Sequence, residues 1–421
     1  MSAFTKIKGT KDVFGEEMKY WEYVENKAKD LFKRYAFKEI RVPTIEKTEL
    51  FSRGVGQETD IVQKEMYTFD DKKGRSLTLR PEGTASVARA YIENSLISFG
   101  SPQKLFYIGP MFRYEKPQSG RYREFYQLGA EIFGTDHPLA DAELIAFIYD
   151  FFSNLKLSNF RIKINSIGTF ESREKYKEIL KKYYEPLLPN LCEDCQRRYN
   201  TNVMRLLDCK KDVEASKKAP SILDYLDEES QKHFKELQHF LNIYGVPYVV
   251  DPKIVRGLDY YTKTAFEVEH LNLGEQAVIA GGGRYDNLVE QLEGPKTPGV
   301  GFAIGIERLI EAIKKENIFV KSDYNVEVYI AYQGEKGQAE ALKLSKYLRK
   351  KGIKTFLNIS KRNLRGQFKH ADRLNVKFVI IIGDEEISKG IVTIKNMENG
   401  EQTEVEKNWV YEIITEKLNE K

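Results

Sequence analysis

Residues 112–131 read FRYEKPQSGRYREFYQLGAE, and the alternation inside them sets the fold. Two strand-forming runs flank a loop that carries Lys116, Arg121 and Arg123. Side chains of a strand alternate between faces, so Tyr126, Leu128, Ala130 and Ile132 point one way and Phe125, Gln127, Gly129 and Glu131 the other. The first set is apolar and belongs on a core. The second mixes an aromatic ring, an amide, a bare glycine and a carboxylate, which suits a ligand. The preceding run repeats the pattern: Phe106, Ile108 and Phe112 share one face, and Gly109, Arg113 and Glu115 the other. The spacing predicts a hairpin of residues 104–115 with 124–134. Same-face neighbours across such a hairpin sit roughly 5 Å apart, so Arg113 falls near Phe125, Gln127 or Gly129, depending on register.

A second stretch, GVGFAIGIERL at residues 299–309, makes the same division more sharply. Val300, Phe302, Ile304 and Ile306 form an apolar face. Gly299, Gly301, Ala303 and Gly305 form the opposite one, and Arg308 follows on a helix. Glycine weakens a strand, so a row of small residues implies close approach, either of a flat ligand or of a packed helix. Phe125 can stack on a base, while Arg113, Arg121, Arg123 and Arg308 offer planar forks for phosphates. Glu82, Gln127 and Glu131 can hold an ammonium group. Each arginine taken alone reads equally well as a surface charge; four beside glycine-faced strands fit ATP together with an amino acid.

Other chemistries lack their signatures. There is no GxxxxGK[ST] phosphate loop, no dinucleotide GxGxxG after a strand and no GxSxG elbow. The five histidines form no metal-spaced pair. Electrostatic positioning of phosphates, rather than covalent catalysis, is the expected chemistry. The three cysteines, Cys192, Cys195 and Cys209, are too few for a disulfide framework and fit a reducing cytosol. They also offer a metal only three thiols, with His233 far along the chain, so no metal ligands are assigned and a buried pair of thiols in the insertion is expected.

The 421 residues are enough for two or three domains. Hydrophobic residues make up 41% and charged residues 31%, rich in Lys and Glu as in heat-adapted proteins. The net charge of +4 leaves anionic partners to local patches. No run approaches the roughly 18 apolar residues of a membrane span, and the N-terminal stretch has no apolar leader, so a cytoplasmic protein without a membrane partner is expected. An α+β fold follows: an antiparallel-sheet domain over residues 1–322, interrupted by a helical insertion at about 169–245, then an α/β domain over 323–421. GGGRYD at 281–286 is expected to turn the chain. Within the C-terminal domain, residues 343–377 hold twelve Lys/Arg against one Asp, a density suited to a phosphate backbone or to a solvated helix face.

These stretches resemble a known family. FKEIRVP (37–43), which reads as a strand ending at Pro43, the 112–131 stretch and GVGFAIGIERL resemble the three motifs of class II aminoacyl-tRNA synthetases. TLRPEGT (78–84), RGLDYYT (256–262) and GGGRYD are similar to the histidine-specific branch of that family. The resemblance spans essentially the whole chain and implies a catalytic domain followed by an anticodon-binding domain, acting as a homodimer on ATP with Mg²⁺, L-histidine and tRNA(His). It implies that Arg113 contacts the α-phosphate, that Arg121 and Arg308 hold the outer phosphates, and that Phe125 stacks on adenine. Glu82, Gly83, Thr84 and Gln127 would surround the histidine ammonium. Glu131 and Tyr261 would read the imidazole, Tyr260 and Tyr285 would shape its pocket, and Arg256 would stabilise charge in the attack on phosphorus. Lys116, Gln118 and Arg123 would face the tRNA. Phe356, Asn358 and Arg365 are loose candidates for anticodon contacts. A non-catalytic paralogue serving as regulatory subunit of ATP phosphoribosyltransferase is the alternative, though such paralogues typically lack the anticodon domain and the intact RGLDYYT.

Overall fold

A computed structural model describes residues 4–57, 59–116, 120–274, 277–322, 325–360 and 362–419. The chain divides into two compact units, Met1–Val320 and Lys321–Lys421.

In the first unit the hairpin forms from strands Gln103–Phe112 and Glu124–Phe133, with Gly109 opposite Gln127 and Met111 opposite Phe125. It sits inside an eight-stranded sheet, ordered 38–39, 103–112, 124–133, 299–305, 278–284, 262–270, 160–166, 249–250. The inner pairs are antiparallel, and the two short edge strands pair in parallel. One sheet face carries Phe106, Leu128, Ala130, Ile132, Val300, Phe302 and Ile304 into the main core. Helices Met18–Arg34, Pro138–Asn154, Glu228–Tyr244 and Ile306–Lys315 cover it. Phe32 stacks between Phe106 and Phe147, with ring centroids 4.2 and 4.3 Å away. Burying each such ring contributes about 1.5–3 kcal/mol.

Three expectations change. FKEIRVP forms only a two-residue strand, Lys38–Glu39, because Phe37 turns into the core and Pro43 has no N–H for a ladder. GGGRYD is not a turn: Gly281, Gly282, Gly283 and Arg284 lie inside strand Val278–Arg284, between two antiparallel neighbours. The helical stretch at 169–245 does not stand apart either. Its last helix, Glu228–Tyr244, is capped by Asp227 accepting the Ser230 N–H at 2.7 Å, and it puts Phe234, Leu237 and Leu241 into the main core.

The second unit has a five-stranded sheet ordered 355–357, 328–332, 378–382, 391–396, 402–406. The first three strands are parallel and the last two antiparallel. Val328, Ile330, Ile380 and Val392 pack with Leu348 and Ile414 of the helices Gly334–Lys350 and Val410–Asn419. Asn358 is buried and donates to the Ser360 carbonyl at 2.8 Å, which withdraws it as a base reader.

Candidate active site

The sheet face opposite the main core floors an open cleft with a cavity volume of about 200 Å³. Arg113, Arg121, Phe125, Gln127, Arg256, Tyr260, Tyr261 and Arg308 line it, with Glu82 and Thr84 from the loop after strand Ser76–Leu79. Alternation along the strands put Phe125 and Gln127 there, as the sequence reading expects.

Three guanidinium groups gather at one end. Arg113 donates to the Pro81 carbonyl at 2.9 Å and lies 5.3 Å from the Phe125 ring centroid. Arg121 sits 3.5 Å from Glu115. Arg308 is clamped by two backbone carbonyls, Gly120 at 3.1 Å and Val278 at 2.8 Å. Burial lowers the pKa of Arg308, and the charges of Arg121 and Arg113 push the same way. Cations held together against their repulsion define a site for an anion.

Elsewhere in the lining Arg256 pairs with Glu267 at 2.6 Å and lies 5.4 Å from the Tyr261 ring centroid. Glu82 is buried and accepts the N–H groups of Thr84 and Ala85, both at 2.7 Å, at the start of helix Thr84–Glu93. Burial raises its pKa against those bonds. Two polar atoms in the lining are buried and unpartnered: Arg256 Nε, a donor, and Gln127 Oε1, an acceptor. Leaving a buried polar atom unpaired costs about 1–3 kcal/mol, so both mark places where a ligand group belongs.

Glu131 and Tyr285 are in a different position from the one expected: they stand behind the wall and do not line the cleft. Glu131 is fully buried. Thr84 Oγ1 donates to one of its oxygens at 2.8 Å, and the Tyr285 hydroxyl donates to the other. Burial pushes the Glu131 pKa up to about 8 despite both bonds. Gly83 also lies behind the lining, its missing side chain replaced by the Tyr107 ring.

The small residues of strand Gly299–Gly305 divide the labour. Gly299 makes room for the Tyr285 ring and Gly301 for the Glu131 carboxylate, while Ala303 and Gly305 floor the cleft. Close packing of side chains therefore explains half the row, and open cleft the rest. In strand Val278–Arg284, Gly281 likewise makes room for the Arg256 guanidinium, 2.6 Å from where a Cβ would stand.

Among the residues assigned to tRNA, Lys116 is exposed. Arg123 lies 3.9 Å over the Tyr114 ring, outside the cleft lining. Gln118 lies outside the described residues. Sequence reading missed Glu267, Tyr107 and the fully buried pair Arg284 and Asp141. Glu267 was within reach: Phe266 and Val268 flank it on the core face, which sends it toward the cleft.

The geometry is matched by relatives. Residues 9–309 match the family model "Histidyl-tRNA synthetase", and residues 327–417 match "Anticodon binding domain". A histidine–tRNA ligase of Fervidobacterium nodosum is 54% identical over 418 residues, 99% of each chain. The apo histidyl-tRNA synthetase of S. aureus superposes with a TM-score of 0.82 at 40% identity, covering 98% of this chain and 99% of that one. A Bacillus halodurans C protein titled an ATP phosphoribosyltransferase regulatory subunit/histidyl-tRNA synthetase gives a TM-score of 0.68 at 23% identity, over 91% and 99%, a likeness of fold alone. A guanidinium-ringed cleft on an antiparallel sheet, in a chain that also carries an anticodon-binding unit, defines an aminoacyl-tRNA ligase. The chain belongs to the histidyl-tRNA synthetase family.

Proposed function

We propose that this chain attaches L-histidine to tRNA(His) through a histidyl-adenylate. The observation that carries the reading is the pair of buried, unpartnered atoms on two residues that line one cleft, Arg256 Nε and Gln127 Oε1, beside three clustered arginines. In the first step a histidine carboxylate oxygen bonds to the α-phosphorus of ATP and the bond to pyrophosphate breaks. In the second a ribose hydroxyl of the tRNA's terminal adenosine attacks the acyl carbon and AMP leaves.

Arg113 meets the α-phosphate, Arg121 and Arg308 hold the outer phosphates, and Phe125 supports the adenine. Arg256, fixed by Glu267, offers its free donor to charge that develops on the transferring phosphoryl group. Gln127 accepts from the histidine ammonium, with Glu82 and Thr84 beside it. Tyr261 and Glu131 supply partners to the ring. Glu131 keeps lone pairs beyond those taken by Thr84 and Tyr285. A pocket built around a ring N–H leaves buried groups unpaired with the wrong amino acid, a cost of several kcal/mol.

Mg²⁺ would neutralise charge on the phosphates. Glu115, paired with Arg121, and Glu307, which accepts the Tyr126 N–H, are carboxylates in the lining of the same cleft. tRNA(His) would meet Lys116, Gln118 and Arg123 on one unit and the basic surface of the other. Eleven of the twelve basic residues in 343–377 are exposed, Lys361 lying outside the described residues. A homodimer follows from the likeness of residues 37–43 to the interface motif; the sheet-edge strand Lys38–Glu39 and the exposed Ile45 and Phe69 are surface for a partner to cover. The cytoplasm is the expected compartment, and among the described residues no helix is long and apolar enough to cross a membrane.

Charging of a tRNA(His) transcript with labelled histidine tests the reading. ATP-dependent incorporation is expected. No incorporation, together with activation of an ATP phosphoribosyltransferase catalytic subunit, would favour the regulatory alternative, which has a likeness of fold on its side.

A further inference from the structure

Away from the cleft, the helical segment gathers the three cysteines around an aspartate. Cys192 stands immediately before helix Glu193–Thr201, Cys195 lies in its first turn, and Cys209 and Asp212 follow a short 3₁₀ turn, Val203–Leu206. One ligand atom from each of Cys192, Cys195, Cys209 and Asp212 lies within 4.8 Å of every other. The sequence offered no histidine as fourth ligand; the fold supplies a carboxylate.

Two of the separations are those of a tetrahedral metal site. Metal–sulfur bonds of about 2.3 Å and metal–oxygen bonds of about 2.0–2.2 Å in a tetrahedron place two sulfurs about 3.8 Å apart and a sulfur and an oxygen about 3.6 Å apart. Cys192 Sγ and Cys209 Sγ are 3.8 Å apart, and Cys209 Sγ and Asp212 Oδ2 are 3.5 Å apart. A disulfide needs sulfurs about 2.05 Å apart, far closer than this pair. Backbone N–H groups also point at the sulfurs. Asp212 N–H reaches Cys209 Sγ at 3.4 Å, and the Cys195 N–H reaches Cys192 Sγ. The Cys192 N–H holds the Asp212 carboxylate in place at 3.1 and 3.3 Å.

We propose that Cys192, Cys195, Cys209 and Asp212 bind a Zn²⁺ ion as a closed structural site. Thiolate-rich tetrahedral sets select zinc among common divalent ions, and four protein ligands leave no open position for chemistry. Binding releases the thiol protons to solvent and changes no oxidation state. The ion ties the start of helix Glu193–Thr201 to the loop at 209–212. That same helix and the turn after it present Arg197, Arg198 and Arg205 to a second cavity, which Arg256 and Gly257 also line. The staple therefore fixes a wall beside the Arg256 loop.

The full-length protein, purified without added metal or chelator, is assayed for metal by plasma mass spectrometry, then stripped and refilled with Co²⁺. One zinc per chain is expected, with sulfur-to-cobalt charge-transfer bands and the intense visible bands of a tetrahedral site. Asp212→Asn, which keeps size and fold, is expected to weaken Co²⁺ binding at least tenfold while circular dichroism is unchanged. Cys192→Ser, at the half-buried position, should remove the charge-transfer intensity of one thiolate. Thiols that all titrate freely with a colorimetric reagent, with Co²⁺ giving no sulfur bands, would overturn the proposal. So would a Cys192–Cys209 disulfide in the protein isolated from a reducing cytosol.

Discussion

Gly301 and Glu131 face each other on neighbouring strands, and the glycine has no side chain because the Glu131 carboxylate fills that space. A residue that reads in sequence as an opening for ligand is here an opening for a buried acid. Gly301→Ala should therefore destabilise the fold by about 1–3 kcal/mol through overpacking. In the Glu131→Ala background the added methyl should cost less, although the Ala130 carbonyl, 2.7 Å from the same point, keeps some of the penalty. Urea denaturation of the four proteins in the cycle measures this; strictly additive losses would separate the two residues.

Glu131 should also leave a mark on the pH dependence of stability. In the folded, empty site it keeps its proton up to about pH 8, against an ordinary value of 4.5 in the unfolded chain. Between those values the folded state binds more protons, so stability is full below 4.5 and falls as pH rises toward 8. Glu131→Gln has no proton to lose and should flatten this fall, with a difference on the order of 1 kcal/mol per pH unit at most. Parallel pH–stability curves for the two proteins would show that Glu131 is ionised throughout. The same substitution should weaken histidine binding and leave ATP binding near normal.

Arg256 is held from two sides, by Glu267 and by the absence of a Cβ at Gly281. Arg256→Ala should lower the rate of adenylate formation about 10²–10³-fold with a far smaller change in histidine affinity, because its free donor acts on charge that develops in the transition state. Gly281→Ala should move the same rate in the same direction by pushing the guanidinium aside. Single-turnover kinetics separates the two effects, and equal losses in rate and affinity would contradict the assignment.

Arg308 ties residue 120 to strand Val278–Arg284 through two carbonyls. Lysine keeps the charge but not the planar pair of donors. Arg308→Lys should raise the KM for ATP about tenfold, the equivalent of ~1.4 kcal/mol, and speed hydrogen exchange at Gly120 and its neighbours. Unchanged exchange with a raised KM would confine Arg308 to phosphate contact.

Strand alternation was enough to find the hairpin and to put Phe125 and Gln127 in the cleft, because a period of two is written in the residues themselves. It could not separate Gln127, which lines the cleft, from Glu131, four residues on along the same face and sealed behind the wall. That difference depends on which side chains from elsewhere in the chain, Tyr285 just after a strand and Thr84 at a helix start, cover the acid. GGGRYD misled for a related reason. Glycines usually mark turns, but here they are an inner strand thinned so that Arg256 and Tyr261 can lie across it. Asp212 was invisible as a partner of the cysteines because its place beside them comes from the turn of the chain after residue 201, not from a spacing motif.

On the proposed mechanism, one cleft activates histidine with ATP before any tRNA arrives. Exchange of labelled pyrophosphate into ATP, run with each of the twenty amino acids and no tRNA, tests it most directly. Exchange with histidine alone, largely abolished in Arg256→Ala, is the expected result. Exchange supported by a different amino acid, or by none while the folded protein still binds ATP, would contradict it.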